Sequence, residues 1–336
     1  MAHDKTYAAA VIGLGNVGFK FDLDPKRASV TWTHAKAYAT SGRVRFTAAV
    51  EPDQENARLF HKVYPDVPVY ATPAAMFARH KLDIVSVSVP TASHADAVQE
   101  VLGQDVRAVF CEKPLTDSPE RSEKLIELSR RKDVHFLVNY PRRWEASYRQ
   151  ARQLLGSGMI GDLRTVHLLY PGQVHNIGSH LFITLFMYVT DVICRVSAVG
   201  VTRDVADPFL SGYLETPKGV VVTFAATGKR EDLVFEIDLV GTEGRLRILE
   251  NGTRLEAYRF TESARYSGYR ELVDQKIPMP SVNDRFADAV QNIVDLLDGK
   301  DVVAQSSAKD ALRVDQLIAC VKLSAQHGGC VQECSI

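Results

Sequence analysis

The segment Gly13-Leu14-Gly15-Asn16-Val17-Gly18 has the spacing G-x-G-x-x-G and follows directly on a short apolar run, Tyr7–Ile12. Each glycine has a physical task in such a turn. Gly13 permits the tight reversal, Gly15 lets a pyrophosphate approach the backbone, and Gly18 lets strand and helix pack closely. The helix that opens there offers free N–H groups and a positive dipole end to phosphate. A bare tight turn is the competing reading, and the strand–turn–helix context favours a dinucleotide. The second apolar run ends Ala48-Ala49-Val50-Glu51, which puts an acid where the adenine ribose hydroxyls would lie. Glu51 stands 33 residues after Gly18, beyond the usual spacing of about 20, and the stretch 21–33 reads as a loop inserted after a short first helix. A carboxylate here repels a 2′-phosphate and no Arg follows at once, so NAD is expected over NADP. The plainer role for Glu51 is to start the turn before Pro52.

Two further stretches lie at the carboxyl ends of apolar runs, where open α/β sheets bind ligands. Val89-Pro90-Thr91-Ala92-Ser93-His94 brings Pro90, Thr91 and His94 towards a cofactor, and Cys111-Glu112-Lys113-Pro114 brings Glu112 and Lys113. On its own Lys113 would read as a solvated lysine. Later, Arg142, Arg143 and Trp144 open a helix at a junction, and Arg143 is expected to touch cofactor or substrate or else to form a salt bridge. His180 lies in a strongly apolar stretch, which by itself suits a core histidine.

The elements that must hold these residues follow from periodicity. Continuous apolar runs at 7–12, 44–50, 84–89, 106–111 and 134–138, with a weaker one at 69–70, suit strands buried on both faces. Helical patterns separate them, and Ser118 with Pro119 and Glu120 marks one helix start. The alternation implies right-handed crossovers and a doubly wound parallel sheet of Rossmann type over residues 1–141. From 142 to 336 a helix at 143–155 precedes β-rich runs at 163–169, 192–202, 209–214, 220–226, 233–239 and 244–249, so an α/β domain with an open, mostly antiparallel sheet is expected. Two helices close the chain, bracketed by Ser281 and Gly299 and by Ser307 and Gly328. Apolar residues on both faces of runs such as 220–224 suggest a homodimer or homotetramer through that sheet.

Composition narrows the classes. The chain has 336 residues, enough for two cores. Its 40 basic and 41 acidic residues leave a net charge of −1, which argues against nucleic acid and a charged membrane surface. The five cysteines lack zinc-ligand pairing, so no metal is expected. Their odd number and the absence of a secretion signal suggest a cytoplasmic protein, and no apolar run is long enough to span a bilayer.

Together GLGNVG, VPTASHADAVQEVL, EKPL at 112–115, VNYPRRW at 138–144, NIGSH at 176–180 and the closing helical segments resemble the glucose–fructose oxidoreductase/inositol dehydrogenase (Gfo/Idh/MocA) family, in order and over nearly the whole chain. The resemblance implies NAD-dependent hydride transfer to or from a hydroxyl or keto group, most naturally of a sugar, sugar nucleotide or cyclitol. It also implies that Lys113 lies beside the nicotinamide and the reacting oxygen. His180 is the histidine of an Asp-x-x-x-His motif that relays the proton. In this chain the aspartate is Asn176, and a second family aspartate is Ile183. Asn can orient an imidazole but adds no charge, so Tyr170 or His175 would assist. Two other readings stay open: a glycosidase that keeps its NAD through oxidation, elimination and re-reduction, and a regulator that binds dinucleotide without turnover.

Overall fold

The computed structural model describes residues 5–116, 118–200 and 205–336. The chain forms two compact units, residues 1–144 with 283–312, and residues 145–282 with 313–336.

The first unit is built on six parallel strands, β1 (Tyr7–Ile12), β2 (Val44–Val50), β3 (Val69–Tyr70), β4 (Ile84–Val87), β5 (Ala108–Cys111) and β6 (His135–Val138), in the order β3-β2-β1-β4-β5-β6. Order reverses between β1 and β4, the switch point at which such sheets bind ligands. Every residue of β1, β4 and β5 is buried, which explains why these strands read as unbroken apolar runs. Helices α1 (His34–Thr40), α2 (Gln54–Val63), α3 (Pro73–Phe77), α4 (His94–Leu102) and α5 (Pro119–Arg131) flank the sheet. The Ser118 hydroxyl caps α5 by accepting from the Arg121 amide at 3.4 Å. Helix Arg285–Leu297 returns to this unit and packs Phe286, Val290, Ile293 and Leu297 into a core with Tyr7, Phe110 and Trp144. A contiguous division at 141/142 does not anticipate that return. The apolar stripe on this helix fixes its inner face but not which core receives it.

The inserted segment has an unexpected form. After Gly18 the chain makes one helical turn, with Phe19 N–H donating to Gly15 O at 2.9 Å. It then leaves through two short 3-10 turns, Lys20–Leu23 and Pro25–Arg27. Helix α1 resumes the same ladder: His34 N–H donates to Val17 O and Ala35 N–H to Gly18 O, both at 3.1 Å. His34 therefore takes the bond that residue 21 would make in an uninterrupted helix. Residues 21–33 are spliced into a helix rather than placed after it. Removing those thirteen residues from the 33 between Gly18 and Glu51 leaves 20, the ordinary spacing. The loop is tied by Asp22, which accepts from the Trp32 amide and, at 2.7 Å, from the Thr33 hydroxyl.

The second unit carries a nine-stranded sheet made of β7 (Leu163–Tyr170), β8 (Arg195–Gly200), β9 (Leu210–Glu215), β10 (Val221–Ala226), β11 (Glu236–Gly241), β12 (Gly244–Leu249), β13 (Arg254–Glu262), β14 (Arg270–Asp274) and β15 (Gln332–Glu333). Its order is β14-β13-β12-β11-β7-β10-β9-β8-β15, and all described pairs are antiparallel except β7 with β10. The apolar run expected at 192–202 ends in Val201 and Thr202, which lie outside the described residues. One sheet face is core, with Val166, Leu168, Val222, Phe224, Ile237 and Leu246 all buried. The other is largely polar, with the ion pairs Asp238–Arg245 and Arg247–Glu256 along it. In the run 220–224 the second face offers only Val221, 38% exposed. Helix Ala146–Gly156 begins three residues later than expected because residues 141–143 form a 3-10 turn. Among the described residues no helix is long and apolar enough to cross a membrane.

Candidate functional site

The glycine turn divides its labour as the spacing suggests. Gly13 has φ +91°, and a Cβ there would meet Ser88 O at 2.7 Å. A Cβ on Gly18 would lie 2.0 Å from Gly13 O. Gly15 has nothing within 4 Å of its Cβ position, so the backbone there borders open space. Two glycines therefore serve the chain itself, and the third keeps a cradle clear for a ligand. Asn16 is exposed and Val17 partly so, while Leu14 is buried. The Ser88 hydroxyl braces the turn by donating to Gly13 O at 2.7 Å. Glu51 closes one side: its carboxylate accepts from the Leu14 amide at 2.9 Å and from the Asp53 amide at 3.0 Å. An acid thus stands against the glycine turn at the end of β2. These residues fit a dinucleotide.

From this geometry Gly15→Val is expected to melt within a few degrees of the parent yet lose at least about tenfold in NAD affinity. Gly18→Ala is expected to lower the melting temperature markedly, since its new methyl meets backbone rather than a movable side chain. Thermal melts and calorimetric titration separate the two cases.

The loops after β4 and β5 lie beside this turn in the strand order. Pro90 is exposed and Thr91 partly so. His94, expected to meet the cofactor, has another task. It is 1% exposed, and its ring nitrogens lie 2.7 Å from Pro114 O and 2.9 Å from Val89 O. Each nitrogen thus faces a backbone carbonyl of one loop, and the nitrogen that carries the hydrogen donates to its carbonyl. Glu112 and Lys113 follow β5, Lys113 is half-buried, and the Lys113–Pro114 peptide is cis. The Glu112 carboxyl feels three influences. Burial pushes its pKa up, the His34 and Asn139 hydrogen bonds and the charge of Lys113 pull it down, and the net direction is down. Arg143 is only 7% exposed and is held by Gln305 O and, at 3.4 Å, by the Asp310 carboxylate. Of the two roles the sequence left open for Arg143, these contacts favour the structural one.

In the second unit His180 lies in helix Ser179–Leu185, directly after a π-helical turn at Val174–Gly178. Leu181, Phe182, Ile183 and Leu185 of this helix are completely buried, and Phe182 meets Phe224 edge-on at 5.3 Å. Ile183 is completely buried, so a family aspartate at that position would have no water in this chain. His180 and Asn176 are partly buried. Tyr170, expected near the substrate, is fully buried, and its hydroxyl donates to Leu210 O at 2.6 Å. Burial raises its pKa. Its hydroxyl is thus engaged within the sheet.

Sequence reasoning missed Asp207. Its two carboxylate oxygens accept from the His175 amide at 2.7 Å and the Asn176 amide at 2.9 Å. It thereby caps the turn that leads to His180 and places a negative charge at the helix start. The only sequence signal was an Asp-Pro pair in a loop. Among the described residues no cluster of His, Cys, Asp and Glu is arranged to hold a metal ion.

Residues 8–140 match the family model described as "Oxidoreductase family, NAD-binding Rossmann fold" (GFO_IDH_MocA). This N-terminal region belongs to the Gfo/Idh/MocA family. Within that family, the chain is 29% identical over 148 residues to inositol 2-dehydrogenase of Corynebacterium glutamicum, which is 43% of each chain. It is 26% identical over 276 residues to dTDP-3,4-didehydro-2,6-dideoxy-alpha-D-glucose 3-reductase of Streptomyces antibioticus, 76% of this chain and 82% of that protein. The alignment to the first of these spans under half of that relative. The fold is similar throughout to the WlbA dehydrogenase of Bordetella pertussis, solved with NADH and UDP-GlcNAcA. That likeness has a TM-score of 0.78 at 16% identity, over 99% of this chain and all of the other. Residues 8–140 thus have the Rossmann fold of an oxidoreductase family whose model is described as NAD-binding.

Proposed function

We propose that the chain is an NAD-dependent oxidoreductase that moves a hydride between the nicotinamide and a carbinol or ketone of a sugar, sugar nucleotide or cyclitol. The observation that carries this reading is the glycine turn with open space at Gly15 and Glu51 closed against it. When bound, the dinucleotide supplies the hydride acceptor or donor. Lys113 donates a hydrogen bond to the reacting oxygen and stabilises negative charge as it develops there. His180 takes the hydroxyl proton in oxidation and returns it in reduction. Asn176 orients the histidine side, and Asp207 supplies the fixed carboxylate that position 176 lacks. Residues 1–141 hold the cofactor, with the return of 283–312 as support. The rest binds substrate, and its exposed sheet face joins a homodimer or homotetramer. The substrate class rests on the relatives, whose names give a cyclitol and a dTDP-linked sugar.

Turnover followed at the reduced-nicotinamide absorbance, with a panel of sugars, sugar nucleotides and inositols, tests the activity. Firm NAD binding with no turnover across the panel would point to a regulator instead. NAD is expected to bind more tightly than NADP, because Glu51 repels a 2′-phosphate. Glu51→Ser should narrow the gap, and tighter NADP binding by the parent would remove Glu51 from the ribose site. A monomer in light scattering at micromolar concentration would refute the assembly.

A further inference from the structure

The nine-stranded sheet ends on β14 at one side and on β15 at the other, and the two edges are not alike. β15 is only the pair Gln332 and Glu333, too short a template for another strand. β14 is Arg270-Glu271-Leu272-Val273-Asp274, exposed at every position but Glu271, free of proline and in unbroken register with β13. At its centre Leu272 and Val273 are 36% and 47% exposed. An edge of this kind is a template for pairing.

The hydrogen-bond phase tells which of its groups are open. Just outside β14, the Gln275 amide donates to Ala257 O and Tyr269 O accepts from the Ser263 amide, both at 2.9 Å. Antiparallel bonding alternates along a strand, so Glu271 and Val273 also turn their N–H and C=O groups toward β13. Within β13 the Phe260 amide points the other way and donates to Glu243 O at 2.9 Å, as the same alternation requires. Arg270, Leu272 and Asp274 therefore present their main-chain groups to the open edge, where no described strand meets them.

These three residues are, in order, positive, apolar and negative. A second β14 laid parallel and in register would set Arg270 against Arg270. Laid antiparallel about a two-fold axis at Leu272, it sets Arg270 against Asp274 on both sides of the axis and Leu272 against Leu272. Each of these pairs is of the hydrogen-bonded kind and exchanges both of its main-chain bonds. Phe260 is the register partner of Leu272, so an apolar row on that sheet face runs through the axis into its own image. Arg270 and Asp274 hold ion pairs within their own chain, with Glu243 at 2.9 Å and Lys276 at 2.6 Å. Exposed pairs contribute little, so both charges can be shared across the axis at small cost.

We propose that β14 is a self-pairing edge, through which two copies of this chain join antiparallel about a two-fold axis at Leu272 into one continuous sheet. Such an isologous contact closes after two copies. The inference rests on the assembly proposed above and places one of its contacts on the sheet edge. It is independent of the hydride-transfer reading.

The mass of the whole chain in solution, by light scattering and sedimentation at tens of micromolar, is the test. Leu272→Pro removes the central outward N–H, suits extended backbone and leaves the bonds to β13 in place. It should halve the assembled mass of the parent with little change in melting temperature. Arg270→Asp and Asp274→Arg should each weaken association at least about tenfold by setting like charges face to face, and the double exchange should restore it. Leu272→Cys should form a covalent dimer with excess oxidised glutathione, because hydrogen-bonded partners lie about 5.5 Å apart between Cα atoms, within disulfide reach. Val273→Cys, on the other sheet face and displaced from the axis, should not. The charge exchange and the thiol pair decide the matter even if the proline lowers the melting temperature. A monomeric parent overturns the proposal together with the assembly. A Leu272→Pro variant that keeps the parent's mass overturns this edge and leaves the assembly standing. Covalent dimers from Val273→Cys but not from Leu272→Cys overturn the register. Turnover by the parent on the substrate panel judges the activity separately.

Discussion

Lys113→Ala lowers kcat by about 10²–10³-fold while NAD affinity changes by less than about tenfold. The difference follows from when the charge matters. A cation near the reacting oxygen gains most as that oxygen becomes an alkoxide, and the ground state shows little of this. His180→Ala is expected to fall within about 10²–10⁴, the scale of a positioned acid–base group. Steady-state kinetics on a turned-over substrate, with cofactor titration of each variant, checks both. If both variants keep full turnover, the pair has no part in the chemistry. Asn176→Asp would place a second carboxylate near the turn that Asp207 already caps. An acid there favours imidazolium, so the base is freed later and the oxidation profile should move to higher pH.

The second large effect is on stability. Asp315, in helix Ala308–Gln326, is 8% exposed, and neither carboxylate oxygen has a hydrogen-bond partner among the described residues. Burial pushes its pKa from 3.8 to about 7. The folded chain therefore keeps this proton while the unfolded chain has lost it. Stability falls as pH rises from about 4 to about 7, and the full penalty, about 4 kcal/mol, holds above that. Asp315→Asn keeps the shape of the neutral acid and cannot titrate. The variant should gain on the parent steadily across this window and hold a constant lead at higher pH. Denaturant unfolding at pH 4.5, 6 and 8 measures the gap. A gap that does not change with pH would show that the carboxylate finds a partner after all.

The sequence was most informative where one physical rule dominates. Strands buried on both faces must be apolar throughout, so β1 was legible to the residue; β2 was placed with the same accuracy although Arg45 and Thr47 interrupt its apolar run. The glycine turn was equally plain, because Gly13 and Gly18 are required by the backbone and Gly15 by the space beside it. Strand β14 and the end of β13 carry no buried residue, so nothing in their pattern marked them, and the buried alternation of Leu255 and Ala257 in the first half of β13 is too short to read as a strand on its own. Tyr170 and His94 look like site residues by type and place, yet their polar atoms face backbone carbonyls. Such bonds depend on which carbonyl folds opposite, and no local pattern encodes that. Asp207 was invisible for the same reason, because it caps a turn some thirty residues earlier in the chain.

The splice between Gly18 and His34 also bears on how this sequence can change. The chain leaves the helix and rejoins it one turn later, so the two junctions are close whatever lies between them. Closing a longer excursion costs only about 0.6 kcal/mol for each doubling of its length. The excursion can therefore lengthen, shorten or change composition with little effect on the phosphate cradle on one side or His34 on the other. Residues 21–33 form a cassette with standardised ends. Joining Lys20 directly to His34 should give an unbroken first helix, and a foreign segment of similar span should be accepted in its place.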